Sequence, residues 1–68
     1  MIKCHLSTLM GKHKLNVLRL SEETGLNRSV ITALYKEEAK RIDLSTVEKL
    51  CRYFECEIQD LFELVDEN

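Results

Sequence analysis

The chain has no proline, and only two glycines interrupt its 68 residues. Nothing therefore forbids helix over most of its length, because proline is the residue that removes a helical N–H and clashes with the preceding turn. No alternation of apolar and polar residues runs long enough to argue for a half-buried strand. Helix is expected throughout. There are three cysteines, an odd number, with no C-x-x-C pair, which argues against a disulfide framework. No apolar run approaches the roughly 20 residues that a membrane span needs. The first residues, MIKCHLSTLMGKHK, lack the apolar centre and small-residue cleavage site of a secretory signal. A cytoplasmic location without a membrane partner is the expectation. A Gly-rich phosphate loop is missing, and so is any grouping of nucleophile, base and orienting residue. No enzymatic activity and no cofactor are expected.

What is present describes one globular domain spanning 1–68. A hydrophobic share of 44% beside a charged share of 32% is enough to build a core, unlike a disordered chain. The net charge of −2 opposes the basic signature usual in a nucleic-acid binder. Its distribution is more informative. Residues 1–41 carry eight basic and four acidic side chains, whereas 42–68 carry two basic and eight acidic. The split suits one side facing an anion and one turned away from it, although scattered solvated charges would give the same count.

Residues 16–36, NVLRLSEETGLNRSVITALYK, organise the rest. Asn16 is a good N-cap for a helix running to about Thr24, with Val17, Leu20 and Thr24 inward. Gly25 lacks a Cβ and can take the positive φ that turns a chain sharply after a helix. Leu26 supplies apolar surface under the corner, and Asn27 can cap a second helix over 28–36, whose Ile31 and Leu34 share one face. Ser21 is small where the two helices approach. This is a helix-turn-helix pattern, whose second helix can lie in the DNA major groove.

Three more helices are predicted around it. The first covers about 3–13, with Leu6, Leu9, Met10 and His13 at core spacing. The fourth covers 46–54, introduced by a Ser45/Glu48 capping box, with Val47, Leu50, Cys51 and Phe54 on its apolar face. A fifth covers 58–64, and Asp66 to Asn68 should fray. Cys51 and Cys56 are read as buried hydrophobes, the usual fate of free cysteine. With Cys4, His5 and His13 they show no metal-finger spacing, so no metal is expected.

The run Leu20-Ser21-x-x-x-Gly25-Leu26-Asn27, followed by Ile31 and Leu34, resembles the Cro and lambda-repressor type of helix-turn-helix, the xenobiotic-response-element family of bacterial and phage regulators. The segment Leu44 to Leu50 through Phe54, Cys56 and Asp60-Leu61-Phe62 resembles that family's fourth and fifth helices. The resemblance covers about Leu6 to Leu64. It implies an all-α, compact five-helix domain that binds double-stranded operator DNA, as a homodimer, and represses transcription.

Carried onto this sequence, the base-reading positions fall on Arg28, Ser29, Thr32 and Ala33. Arg28 can donate two hydrogen bonds to guanine, Ser29 and Thr32 can bond bases or phosphates, and Ala33 can touch only apolar groups. Val30 is open to a thymine methyl or to packing under helix two. Phosphate contacts are expected from Asn16, Asn27, Lys36, Lys40, Arg41 and the N-terminus of helix two. Two positions depart from the family pattern. Val17 stands where glutamine is common, and Lys36-Glu37-Glu38 replaces an Asn-Gly turn. Self-association is expected through Phe54, Ile58, Leu61, Phe62 and Val65, unless the monomer's core uses them. The competing expectation is an antitoxin-like or other protein-interaction module, binding a protein partner through the acidic half.

Overall fold

Leu6, Met10, Leu20, Ile31, Leu50 and Leu61 are wholly withdrawn from water, and they come from five different helices. The computed structural model describes residues 1–66. In chain order it contains β1 (Ile2–Cys4), α1 (Leu6–Lys12), α2 (Val17–Thr24), α3 (Arg28–Tyr35), α4 (Leu44–Phe54), α5 (Ile58–Leu61) and β2 (Phe62–Leu64). The expected fraying reaches beyond Asp66 into 67 and 68, which lie outside the described residues. No described helix is long and apolar enough to cross a membrane.

The five helices are present, but the expectation of helix throughout is corrected at both ends. β1 and β2 pair antiparallel, Ile2 with Leu64, Lys3 with Glu63 and Cys4 with Phe62. Because successive side chains in a strand alternate, this register puts Ile2, Cys4, Phe62 and Leu64 on one face and Lys3 and Glu63 on the other. Helix one therefore begins at Leu6 and not near residue 3, and helix five ends at Leu61 and not at 64. The His5 N–H donates to the Leu61 carbonyl at 2.8 Å, and the Val65 N–H to that of Met1 at 2.8 Å. His5 Nε2 meets Glu63 Oε1 at 2.8 Å across the same seam.

α4 starts two residues earlier than expected, at Leu44, with Asp43 preceding it. Ser45 is thus inside the helix, and the Ser45/Glu48 pair does not cap it; Glu48 instead accepts from Arg52 Nε at 2.9 Å. Thr46 is buried where Val47 is half-exposed, so the apolar face is turned by one position toward Leu50 and Phe54. His13 lies outside α1 and is exposed, its ring tilted against that of Phe54 at 5.3 Å.

Three helices end in a left-handed turn without glycine. Lys14, Glu37 and Glu55 adopt φ of 54°, 57° and 52°, the left-handed region. Each stands at the turn of a Schellman motif, where paired N–H groups reach back to the last carbonyls. After α1 these are Lys14 to Gly11 at 3.2 Å and Leu15 to Met10 at 2.9 Å. After α3 they are Glu37 to Leu34 at 3.1 Å and Glu38 to Ala33 at 2.8 Å. That geometry stops α3, although no glycine follows it.

The left-handed strain costs roughly 1–2 kcal/mol per non-glycine residue, against about 0.5–1 kcal/mol of extra chain entropy lost by glycine. Lys14→Gly and Glu55→Gly should each raise stability by roughly 0.5–1 kcal/mol in urea titrations. Glu37→Gly should do the reverse. Its Oε1 accepts the Cys4 N–H at 3.0 Å in a partly buried setting, and a bond to a charged acceptor contributes about 1.5–3 kcal/mol. Equal stabilisation at all three positions would show that the Glu37 bond contributes nothing.

Candidate nucleic-acid interface

α2 and α3 form the corner expected from the sequence. Asn16 Oδ1 accepts from the Arg19 N–H at 2.7 Å, starting α2. Gly25 follows it at φ 77°, and its N–H donates to the Ser21 carbonyl at 2.9 Å. The small residue at 21 does more than permit approach: its hydroxyl donates to the Leu26 carbonyl at 2.6 Å and locks the turn. Thr24 closes the other side, donating to the Leu20 carbonyl at 2.7 Å and accepting from the Leu26 N–H at 3.2 Å. Asn27 then caps α3, its Oδ1 accepting from the Ser29 N–H at 2.8 Å and the Ser29 hydroxyl at 2.6 Å.

The result orients α3 unambiguously. Ile31 and Leu34 are 0% and 3% exposed, whereas Arg28, Ser29 and Val30 are exposed and Thr32 and Ala33 half-buried. Val30, left open between groove and packing, is on the outside at 38% exposure. Arg28 forms no ion pair among the described residues, so its guanidinium keeps all its donors. Asn16, Asn27, Lys36, Lys40 and Arg41 are exposed. Asn16 and Asn27 use their carbonyl oxygens as caps, which leaves their amide N–H groups as the part available to an anion.

The two departures from the family pattern have structural explanations. Val17 is half-buried and packs against the core, so the first position of α2 stabilises the domain where a glutamine would reach outward. Glu37 points back to β1 through its bond to the Cys4 N–H. One of the two carboxylates after α3 is therefore already engaged, and only Glu38 is uncommitted in the hydrogen bonds described.

A contact that sequence reasoning missed fixes the back of α2. Tyr53 on α4 donates its phenol to Glu23, which also pairs with Arg19 one turn earlier. The phenol of Tyr53 first, and the Arg19 guanidinium second, hold the Glu23 carboxyl below its usual range. A depressed carboxyl stabilises the fold above the ordinary glutamate range, and that contribution disappears as pH falls through the folded value. Tyr53 is raised, chiefly by the same bond, so its contribution is complete below the ordinary tyrosine range and lost as pH rises through the folded value. Tyr53→Phe should flatten the stability profile at both ends, measured as thermal midpoint against pH. An unchanged acid limb would assign the acid sensitivity to other carboxylates. The signal was out of reach because the partners are thirty residues apart.

The expected association residues divide. Phe54 and Leu61 are 7% and 0% exposed and belong to the monomer's core, which corrects their placement on a free surface. A small domain needs its large side chains for its own core. Val65 is half-buried, and Phe62 lines a groove of about 370 Å³ with Ile2, Leu34, Ala39 and Ile42, beside Lys40 and Arg41. Ile58 is exposed and lies in a second groove, about 430 Å³, with Leu44, Val47 and Cys51. Leu44, 86% exposed, is the most open large apolar side chain and was not singled out from the sequence. Cys51 and Cys56 are half-buried at the core's edge, and Cys4 is the buried thiol. No group of three or more metal-ligating side chains occurs among the described residues.

A closed helical core that leaves the outer face of one short, N-capped helix free is the arrangement of a small helical DNA-binding domain. The chain belongs to the Cro/C1-type HTH DNA-binding domain family, whose model matches residues 5–67. It is also similar to an uncharacterized HTH-type transcriptional regulator, YozG, of Bacillus subtilis (strain 168), at 34% identity over 59 residues. That match covers 87% of this chain and 70% of the relative.

Proposed function

We propose that this protein is a sequence-specific transcriptional repressor that reads operator DNA as a homodimer, with α2 and α3 as its helix-turn-helix. The observation that carries the reading is α3: Ile31 and Leu34 are sealed inward while Arg28 and Ser29 are exposed at its N-terminal end. In the major groove Arg28 donates to guanine O6 and N7, and Ser29 and Thr32 bond bases or phosphates. Ala33 contributes apolar contact and Val30 a candidate contact to thymine methyl. Asn16, Asn27, Lys36, Lys40 and Arg41 engage phosphates on either side, helped by the N-terminus of α2. The net charge of +4 over residues 1–41 favours that approach.

Two copies would set their α3 helices about 34–36 Å apart, one turn of duplex. The surface we assign to pairing is the α4–α5 groove of Leu44, Val47, Cys51 and Ile58, continuous with the Ile58 already expected there. Selection of duplexes by the purified protein from a random pool tests the reading. It should return a two-fold symmetric site, with affinity that falls steeply as salt rises, since neutralised phosphates release counterions. Removing Lys40 should lower that salt slope by about one per protomer.

A second reading is favoured by the exposed Leu44 and Ile58 together with the net charge of −2. On it, the domain is an antitoxin-like or other interaction module that engages a protein. Absence of any enriched duplex, with no retention even at low salt, would support that reading against the first.

A further inference from the structure

The end of α4 brings two cysteines together. Glu55 is left-handed at φ 52° and ψ 48°. Its N–H donates to the Arg52 carbonyl at 3.3 Å, and the Cys56 N–H reaches back to the Cys51 carbonyl at 2.9 Å. This is a Schellman closure, in which the first and last residues lie beside each other and usually make an apolar contact. On an unbroken helix, residues five apart would point roughly 140° away from one another. The turn at Glu55 removes that separation. The backbone bond sets the two residues beside each other, and a disulfide bridges residues whose Cα atoms lie roughly 4.4–6.8 Å apart. Both are half-buried, so a small reagent can reach them, whereas Cys4 is buried.

We propose that Cys51 and Cys56 form a reversible disulfide by exchange with a small-molecule disulfide, which makes the end of α4 a thiol–disulfide couple. The Cys51 thiolate attacks one sulfur of the small disulfide, forming a mixed disulfide and releasing one small thiolate. Cys56 then loses its proton and attacks Cys51 Sγ. The protein disulfide forms, the mixed one breaks, and the second small thiolate leaves. The protein gives up two electrons and two protons, and the small disulfide becomes two thiols.

Cys56 is a poor first nucleophile. Burial, reinforced by Cys51 itself and by the Asp60 and Glu57 carboxylates, pushes the Cys56 thiol above its usual range. Only the thiolate attacks, so the raised Cys56 thiol makes closure of the mixed disulfide the pH-sensitive step. Cys51 also lines the groove assigned above to pairing, so the exchange takes place on the unpaired protomer.

The test equilibrates the full chain with reduced and oxidised glutathione at several ratios, quenches with acid, alkylates, and reads intact and digested masses. The expected product has lost two hydrogens, is linked from Cys51 to Cys56, and carries an alkylated Cys4. Cys51→Ser and Cys56→Ser should each abolish the link and accumulate glutathione on the remaining partner. Closure of the mixed disulfide should quicken about tenfold per pH unit while the thiolate fraction is small. The folded chain should close at least tenfold more favourably than the same chain in urea, which reports the preset geometry apart from cysteine reactivity. Glutathione on both Cys51 and Cys56 without a link would overturn the proposal. So would equal closure in folded and unfolded chains.

Discussion

Ile31→Ala is expected to bring the folded and unfolded states to comparable populations at 25 °C. The side chain is fully buried among Leu6, Met10, Leu20, Leu50 and Leu61. Truncating such a residue removes its transfer free energy and leaves a cavity, together about 2–5 kcal/mol. A core in a domain of this size supplies only roughly 3–5 kcal/mol in total. The loss and the whole are therefore comparable. Ile31→Val removes one methylene, costs about 0.5–1.5 kcal/mol, and should stay folded. Urea titrations followed by circular dichroism would separate the two, with the slope preserved for the valine variant. An alanine variant with the wild-type midpoint would mean that α3 is not anchored through this face. The reading of its opposite face as a free surface would then fail as well.

Arg28→Ala should lower affinity for the selected duplex by roughly 5- to 150-fold, the equivalent of about 1–3 kcal/mol for a bidentate contact with guanine. Stability should not change, because the side chain is exposed and unpaired among the described residues. Two readouts distinguish the roles open to it. A base-reading arginine takes with it the preference for one base pair, while binding to unrelated DNA changes little. A phosphate-bound arginine weakens all sequences alike and lowers the salt slope by about one. Arg28→Lys sharpens the comparison. It keeps the charge but loses the planar fork, so it should rescue a phosphate contact and fail to rescue a guanine contact. Unaltered binding by both variants would remove Arg28 from the interface.

The parts of this fold that were legible beforehand are those with a local cause. Asn16 and Gly25 bracket α2 at the residues where the structure begins and ends it, because a capping carboxamide and a left-handed glycine act within a turn of themselves. Ile31 and Leu34 declared their face by spacing alone. The capping signal at Ser45 misled because Asp43 lies two residues ahead and helices begin where packing permits, not at every good cap. The split of Phe54 and Leu61 from Ile58 was hidden for another reason. All five association residues share the same helical period, and only the neighbours in space determine which are covered.

The amino-acid order by itself determined that five helices form, the corner at Gly25, and the exposure of Arg28 and Ser29 opposite Ile31 and Leu34, since each follows from backbone preferences and spacing within a few residues. The tertiary structure alone decided the rest. It joined Ile2–Cys4 to Phe62–Leu64, turned Glu37 back onto Cys4, hung Tyr53 on Glu23, and set Cys51 beside Cys56. Three of these links join residues thirty or more positions apart. The fourth depends on a glutamate taking a conformation that glycine would normally supply. Such arrangements form only when the closed core makes up for the chain entropy and the strain they require.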